Sequence, residues 1–367
     1  MNWMERISLI EQLDDALLDP IAVQRLQWLH DSTINTVSGA DSYSVYNDIT
    51  FYIPSFKSYH LDIGVVGQAA ACQQQACGKN AWPAVSITGA ACQLQCDHCK
   101  AKILEPMIAA TTPKQLWRVV SEQIDKGAQG MLLTGGSNVR NEVEYNDFLP
   151  VIRKIKRRNP AFTIVCHTAL VDASVALAME EAGIDVAMMD VIGAQDTITQ
   201  VYHLKRRVDD FDNTLQALTN TSMRVVPHIV LGLHYGRLLG EWQALDIVQR
   251  YPVDALVLVV VMPYYAPVKR PFDVPDSRVV GRFFAQAKQQ LGNTPLFLGC
   301  ARPAGRVKTE IDIYALLAGF SGIAYPSEGI AELASALGRD VNVSSSCCSM
   351  GTEDLSLAFA ARNAVAS

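Results

Sequence analysis

From residue 82 onward the sequence alternates short β-branched runs with helical stretches, and each run closes on small or polar residues. Eight runs fit this description: PAVSITG, GMLLTGG, FTIVCHT, DVAMMDVIG, RVVPHIVLGLH, DALVLVVVMP, PLFLGC and SGIAYP. They read apolar throughout, so both faces of the sheet are covered and the strands should run parallel. The stretches between them carry helix signals. In TPKQLWRVVSEQIDKGAQG, Thr112 can cap, Pro113 suits the first turn, and Leu116, Val119, Val120 and Ile124 make one apolar face before Gly127. Eight such units predict an α/β fold, a TIM-type (βα) barrel of eight strands, although periodicity alone does not establish closure. In a barrel the chemistry belongs at the carboxyl ends of the strands. There the sequence places Thr88, Gly89, Gly135, Gly136, Cys166, His167, Asp190, His234, Tyr264, Tyr265, Cys300 and Arg302. The barrel is expected over residues 81–338, with a helical extension over 1–80 and a tail over 339–367. Asp19 and Pro20 mark the second of two helices in the extension.

The composition narrows the partners. A net charge of −6 gives no electrostatic reason to expect nucleic acid, and the basic runs RKIKRR and KRR read as solvated helix faces. The amino terminus is charged from the start, without an apolar core of signal-peptide length. The longest apolar run, ALVLVVVM, is too short to span a bilayer, so a cytoplasmic protein is expected. Nine cysteines in such a chain are thiols available for metal or catalysis rather than a disulfide framework.

Three of them, Cys92, Cys96 and Cys99, fall in CQLQCDHCK directly after the first predicted strand. Short-spaced thiolates hold iron–sulfur clusters, and three thiols on a four-iron cluster leave one iron open for another ligand. A zinc site would need a remote fourth ligand, since His98 does not easily turn inward beside Cys99. Gly135 and Gly136 are either a plain turn or a place where backbone must approach a ligand. Asp190 either binds a ligand hydroxyl or caps the next helix. His167, His228 and His234 are candidates for substrate or carboxylate contact, with a satisfied core histidine as the commoner case. Arg302 suits a carboxylate, and Cys166 reads as a small buried hydrophobe.

The stretch SITGAACQLQCDHCK resembles the cluster loop of the radical S-adenosylmethionine superfamily, and LLTGG resembles that family's paired-glycine motif. The resemblance implies a [4Fe–4S] cluster on Cys92, Cys96 and Cys99 with S-adenosylmethionine on its open iron. Gly135, Gly136, Ser137, Asp190, His167 and Arg302 would then contact the cofactor. His98 departs from the aromatic residue often found before the last cysteine. Over nearly the whole chain the sequence is similar to the archaeal-type two-component lipoate (lipoyl) synthases, through IPSFKSYH, HTALVD, DVIG with TITQVYHL, VPHIVLGLHYG, GCARPAGR and the tail CCS. That likeness implies sulfur insertion into an octanoyl-lysine of a lipoyl carrier domain, together with a second radical enzyme and an electron donor such as ferredoxin or flavodoxin. It also implies an auxiliary [4Fe–4S] cluster as sulfur source, with Cys72, Cys77, Cys347 and Cys348 as ligands and Cys300 in reserve. Biotin synthase is the competing likeness, but Cys166 and Cys300 are too few for its barrel-wall ligands. Two further alternatives are a radical enzyme without sulfur insertion and a non-enzymatic cluster carrier.

Overall fold

Twelve short strands, pairing only in parallel, make the sheet framework of the described residues. The structure is a computed structural model, described over residues 48–54, 82–262 and 271–351. Three strands lie outside the eight apolar runs: β1 (Ile49–Tyr52), β3 (Ile108–Ala109) and β12 (Val341–Ser344). Seven runs give one strand each: β2 (Ala84–Ser86), β4 (Gly130–Thr134), β5 (Thr163–His167), β6 (Val186–Met188), β9 (Leu256–Val260), β10 (Leu296–Leu298) and β11 (Gly322–Ala324). The eighth, RVVPHIVLGLH, divides into β7 (Arg224–Val225) and β8 (His228–Leu231), because Pro227 has no N–H to give to a ladder.

That break joins two six-stranded sheets, ordered β3-β2-β4-β5-β6-β7 and β12-β1-β11-β10-β9-β8. The joint is closed by a parallel bridge between Asp190 and His228, where the His228 N–H donates to Met189 and the Val191 N–H to His228, both at 2.8 Å. Between β3-β2 and β12-β1 no ladder is formed among the described residues. The α/β parallel fold is as expected, but its sheet draws strands from both flanks of the expected barrel. The aromatic stretch holding β1 lies in the expected helical extension, yet all four of its residues are buried between β11 and β12. The two helices expected before it, and the Cys72 and Cys77 pair, lie outside the described residues.

The helices that cover the sheet are α1 (Pro113–Asp125), α2 (Leu149–Arg158), α3 (Ala173–Ala182), α4 (Gln195–Gln200), α5 (Val208–Thr219), α6 (Glu241–Gln249), α7 (Ser277–Leu291), α8 (Arg306–Leu317) and α9 (Ile330–Ala336). Thr112 caps α1 by accepting from the Gln115 N–H, with Pro113 in the first turn. Strand side chains alternate between two apolar faces. Met131, Leu133, Ile164, Cys166, Leu258 and Ile323 pack outward with the helices. Val165, Val186, Met188, Val257, Val259 and Phe297 point to an inner cluster, the lumen. Cys166 thus faces the helices, and burial pushes its thiol up to about 12.

Candidate functional site

The loop after β2 is fastened before its first cysteine. Ser86 Oγ donates to the Gly89 carbonyl at 2.7 Å, and Thr88 Oγ1 donates to Ala91 at 2.8 Å while accepting from the Gly136 N–H at 2.7 Å. Ser137 receives the Gln93 N–H at 2.9 Å and the Cys92 thiol at 3.7 Å. A Cβ on Gly136 would lie 1.9 Å from the Ala91 carbonyl oxygen and 2.6 Å from Cys92 Cα. The second glycine is therefore needed so that the end of β4 can press against the cysteine loop itself.

Cys96 is buried, and Cys92 and Cys99 are half-buried. Burial, then the neighbouring thiols, pushes Cys96 far up; burial first and Cys92 among the lesser causes carry Cys99 to about 11. Thiols held so close in an apolar setting favour the thiolate only when a metal centre supplies the compensating charge. Among the described residues no three His, Cys, Asp or Glu side chains stand together as a ready-made metal site, so the three thiols would have to turn inward to share a cluster. His98 lies against the Tyr202 ring, at 5.1 Å between centroids, with its Nδ1 buried and without a hydrogen-bond partner. Burial holds its pKa down to about 4.

Below this loop the inner face turns polar. His167 ends β5 and its Nε2 is 3.6 Å from Asp190 Oδ1, with the two side chains 29% and 31% exposed, so both open to the lumen. Burial works against charge on each, but their pairing prevails: Asp190 is lowered and His167 raised. The His228 ring lies 5.9 Å from that of His167, and burial, followed by His167, brings His228 down to about 4. Two adjacent histidines are thereby shifted in opposite directions, His167 up and His228 down.

The tail supplies the remaining thiols. After β12 the chain enters the inner cluster, where Cys347, Cys348 and Met350 are buried with Val165, Met188, Val259 and Phe297 and in reach of Cys300. The turn Cys348–Met350 touches β6 on one sheet and β10 and β11 on the other. Arg224 donates to the Met350 carbonyl at 2.6 Å and Tyr52 Oη to Gly351 at 2.7 Å, which anchors the turn inside the lumen. Cys347 Sγ donates to Ser349 Oγ at 3.6 Å, and the neighbouring Cys347 thiol, with burial and then Cys300, raises Cys348.

Arg302 is not at the mouth. Its guanidinium is buried, with four of its five N–H groups bonded: Nε to Asp312 Oδ1 at 2.6 Å, Nη2 to Asp312 Oδ2 and the Tyr325 carbonyl, and Nη1 to the Gly299 carbonyl. No donor pair remains on it for an added carboxylate. His234 sits beside Thr197 Oγ1 at 3.2 Å, edge-on to Tyr235. Tyr264 and Tyr265 lie outside the described residues. Asp97, Tyr235 and His203, absent from the candidates above, meet at the cysteine loop. Their signal was present in CDHC, VYHL and LHYG.

No protein-family model matches the sequence, and neither does any curated protein. Among solved structures, HydG, a maturase of the [FeFe]-hydrogenase, superposes with a TM-score of 0.53 over 97% of this chain and 82% of its own, at 11% identity. HydG from Carboxydothermus hydrogenoformans gives 0.51 at 12% identity, over 66% of this chain and 58% of its own. The chain shares the HydG fold. At these identities the likeness concerns architecture, and the chemistry has to be read from the residues.

Proposed function

We propose that the protein is a radical S-adenosylmethionine enzyme of the sulfur-inserting kind, a component of a two-protein lipoyl synthase. The observation that carries this reading is that the fold holds two separate thiol sets, one on a loop at a strand end and one in the inner cluster. Cys92, Cys96 and Cys99 lie on the loop after β2, while Cys347 and Cys348, with Cys300 in reach, lie inside. The shared fold and the sequence resemblance support it. The donor set fits: three thiols within eight residues suit a cluster with one open iron, and the loop is braced by Gly136 and Thr88. A [4Fe–4S] cluster there would supply reductive cleavage of S-adenosylmethionine to methionine and a 5′-deoxyadenosyl radical, and an auxiliary cluster would supply sulfur.

The chain's own residues bind, orient and shield. Asp190, tied to His167, offers a carboxylate to ribose hydroxyls, Gly136 and Ser137 form the wall against which the cysteine loop rests, and Gly135 remains a proposed cofactor contact beside Thr88. Val165, Val257, Val259 and Phe297 are packed around Cys347 and Cys348 in the inner cluster, which keeps water away from that thiol pair. The substrate in this reading is an octanoyl-lysine on a lipoyl carrier domain. A second radical enzyme and a ferredoxin or flavodoxin complete the cytoplasmic system. Cys72 and Cys77 remain proposed auxiliary ligands. No described helix is long and apolar enough to cross a membrane.

The test is anaerobic reconstitution with iron and sulfide, then product analysis with S-adenosylmethionine, dithionite and an octanoyl-lysine peptide. About eight irons per chain, deoxyadenosine and a thiolated peptide are expected. About four irons with deoxyadenosine and no thiolation would keep the radical chemistry and discard sulfur insertion.

A further inference from the structure

One carboxylate inside the cysteine loop is tied to its own loop and to two separate segments. Asp97, between Cys96 and Cys99, accepts from Lys100 Nζ at 2.6 Å and from His203 Nε2 at 3.0 Å through Oδ1, and from Tyr235 Oη at 2.8 Å through Oδ2. Its backbone N–H donates to the Val201 carbonyl at 2.9 Å. Lys100 belongs to the loop, Val201 and His203 follow α4, and Tyr235 lies in the turn after β8. The Asp97 side chain is 13% exposed, so these bonds are largely sheltered from water.

The backbone around this hub is unusual. Eight described non-glycine residues have positive φ, and five of them belong to the hub: Gln95 (46°), Lys100 (46°), Ala101 (60°), His203 (57°) and Tyr235 (53°). All three side chains that donate to Asp97 stand on left-handed backbone. Such conformations persist only where their surroundings over-determine them, and they gather at ligand sites. Removing the carboxylate would leave these loops without the contact they converge on.

We propose that Asp97 is the positioning residue of the three-cysteine loop, docking it onto His203 and Tyr235 and placing a fixed negative charge beside any cluster that the loop binds. The inference rests on the reading of Cys92, Cys96 and Cys99 as cluster ligands. It assigns Asp97 two separable effects. Docking holds the thiols near their bound arrangement, as groups around a metal site generally do for its ligands. The charge disfavours the extra electron of the reduced cluster and so makes its potential more negative.

Two variants separate these effects. Asp97→Asn keeps the shape and one acceptor oxygen but removes the charge. Asp97→Ala removes both. In the reconstituted protein, Asp97→Asn should retain wild-type iron and show a more positive midpoint potential in a titration followed by electron paramagnetic resonance. Asp97→Ala should lose iron to a chelator with an affinity lower by about 10–100-fold. Tyr235→Phe, which deletes one hydroxyl, should weaken iron retention in the same direction and add little in the Asp97→Ala background. If Asp97→Ala does not fold, Asp97→Asn and Tyr235→Phe decide. Wild-type potential in the first and wild-type iron retention in the second overturn the assignment while leaving the cluster reading intact. A wild-type chain that takes up no iron overturns both.

Discussion

At the scale of single residues, the second glycine and the buried arginine show how close packing and charge compensation assign different jobs to similar-looking signals. Gly136→Ala would drive a methyl group into the Ala91 carbonyl and Cys92, so the cysteine loop must move. Stability should fall by about 1–3 kcal/mol in denaturant unfolding, with iron uptake lost alongside. Arg302 and Asp312 are a buried pair with side chains 1% and 0% exposed. Asp312→Ala leaves the guanidinium buried without its anion, and a loss of about 3–5 kcal/mol is expected in the same measurement. An Arg302 that contacted cofactor would instead change cofactor binding and leave stability near wild type. From the sequence, GCARPAGR places Arg302 at a strand end, but only the helix α8 packed beside it supplies Asp312.

At the scale of elements, capping and strand chemistry follow local rules that the sequence states openly. Asp172 caps α3, accepting from the Val175 N–H at 2.9 Å and from Ser174 Oγ at 2.6 Å, and these bonds, the Ser174 hydroxyl first, lower its pKa. A carboxylate lowered in the fold contributes stability above its unfolded pKa and loses it as pH falls through the folded one. Asp172→Ala should therefore cost about 1 kcal/mol at neutral pH. The gap between variant and wild type should shrink in urea unfolding repeated at acid pH. Pro227 sets the break between β7 and β8, although RVVPHIVLGLH reads as one run in the sequence. By contrast, β1 and β12 are only four residues long, too short for their patterns to announce a strand, and they become strands by pairing with each other, β1 also with β11.

At the scale of the whole molecule, the lumen is where the two ends of the reading meet. Replacing Cys347 and Cys348 together by serine should reduce iron in the reconstituted chain from about eight to about four while deoxyadenosine still forms and thiolation stops. Iron analysis with product mass spectrometry checks this, and unchanged iron would remove the tail pair from the ligand set. The sequence by itself determined the alternation of strands and helices, the parallel sheet, the three-cysteine loop after β2 and the capped helices. These are encoded by periodicity, caps and short spacings, which act within a few residues. Only the tertiary structure decided that Cys166 faces the helices while Cys347 and Cys348 face the lumen, that Arg302 is spent on Asp312, and that Asp97 gathers His203 and Tyr235. Asp97 and Tyr235 are 138 positions apart, and Tyr52 meets Gly351 across 299. No local pattern carries such pairings, because they arise when many strands share one lumen and each inward side chain must find its partner across it.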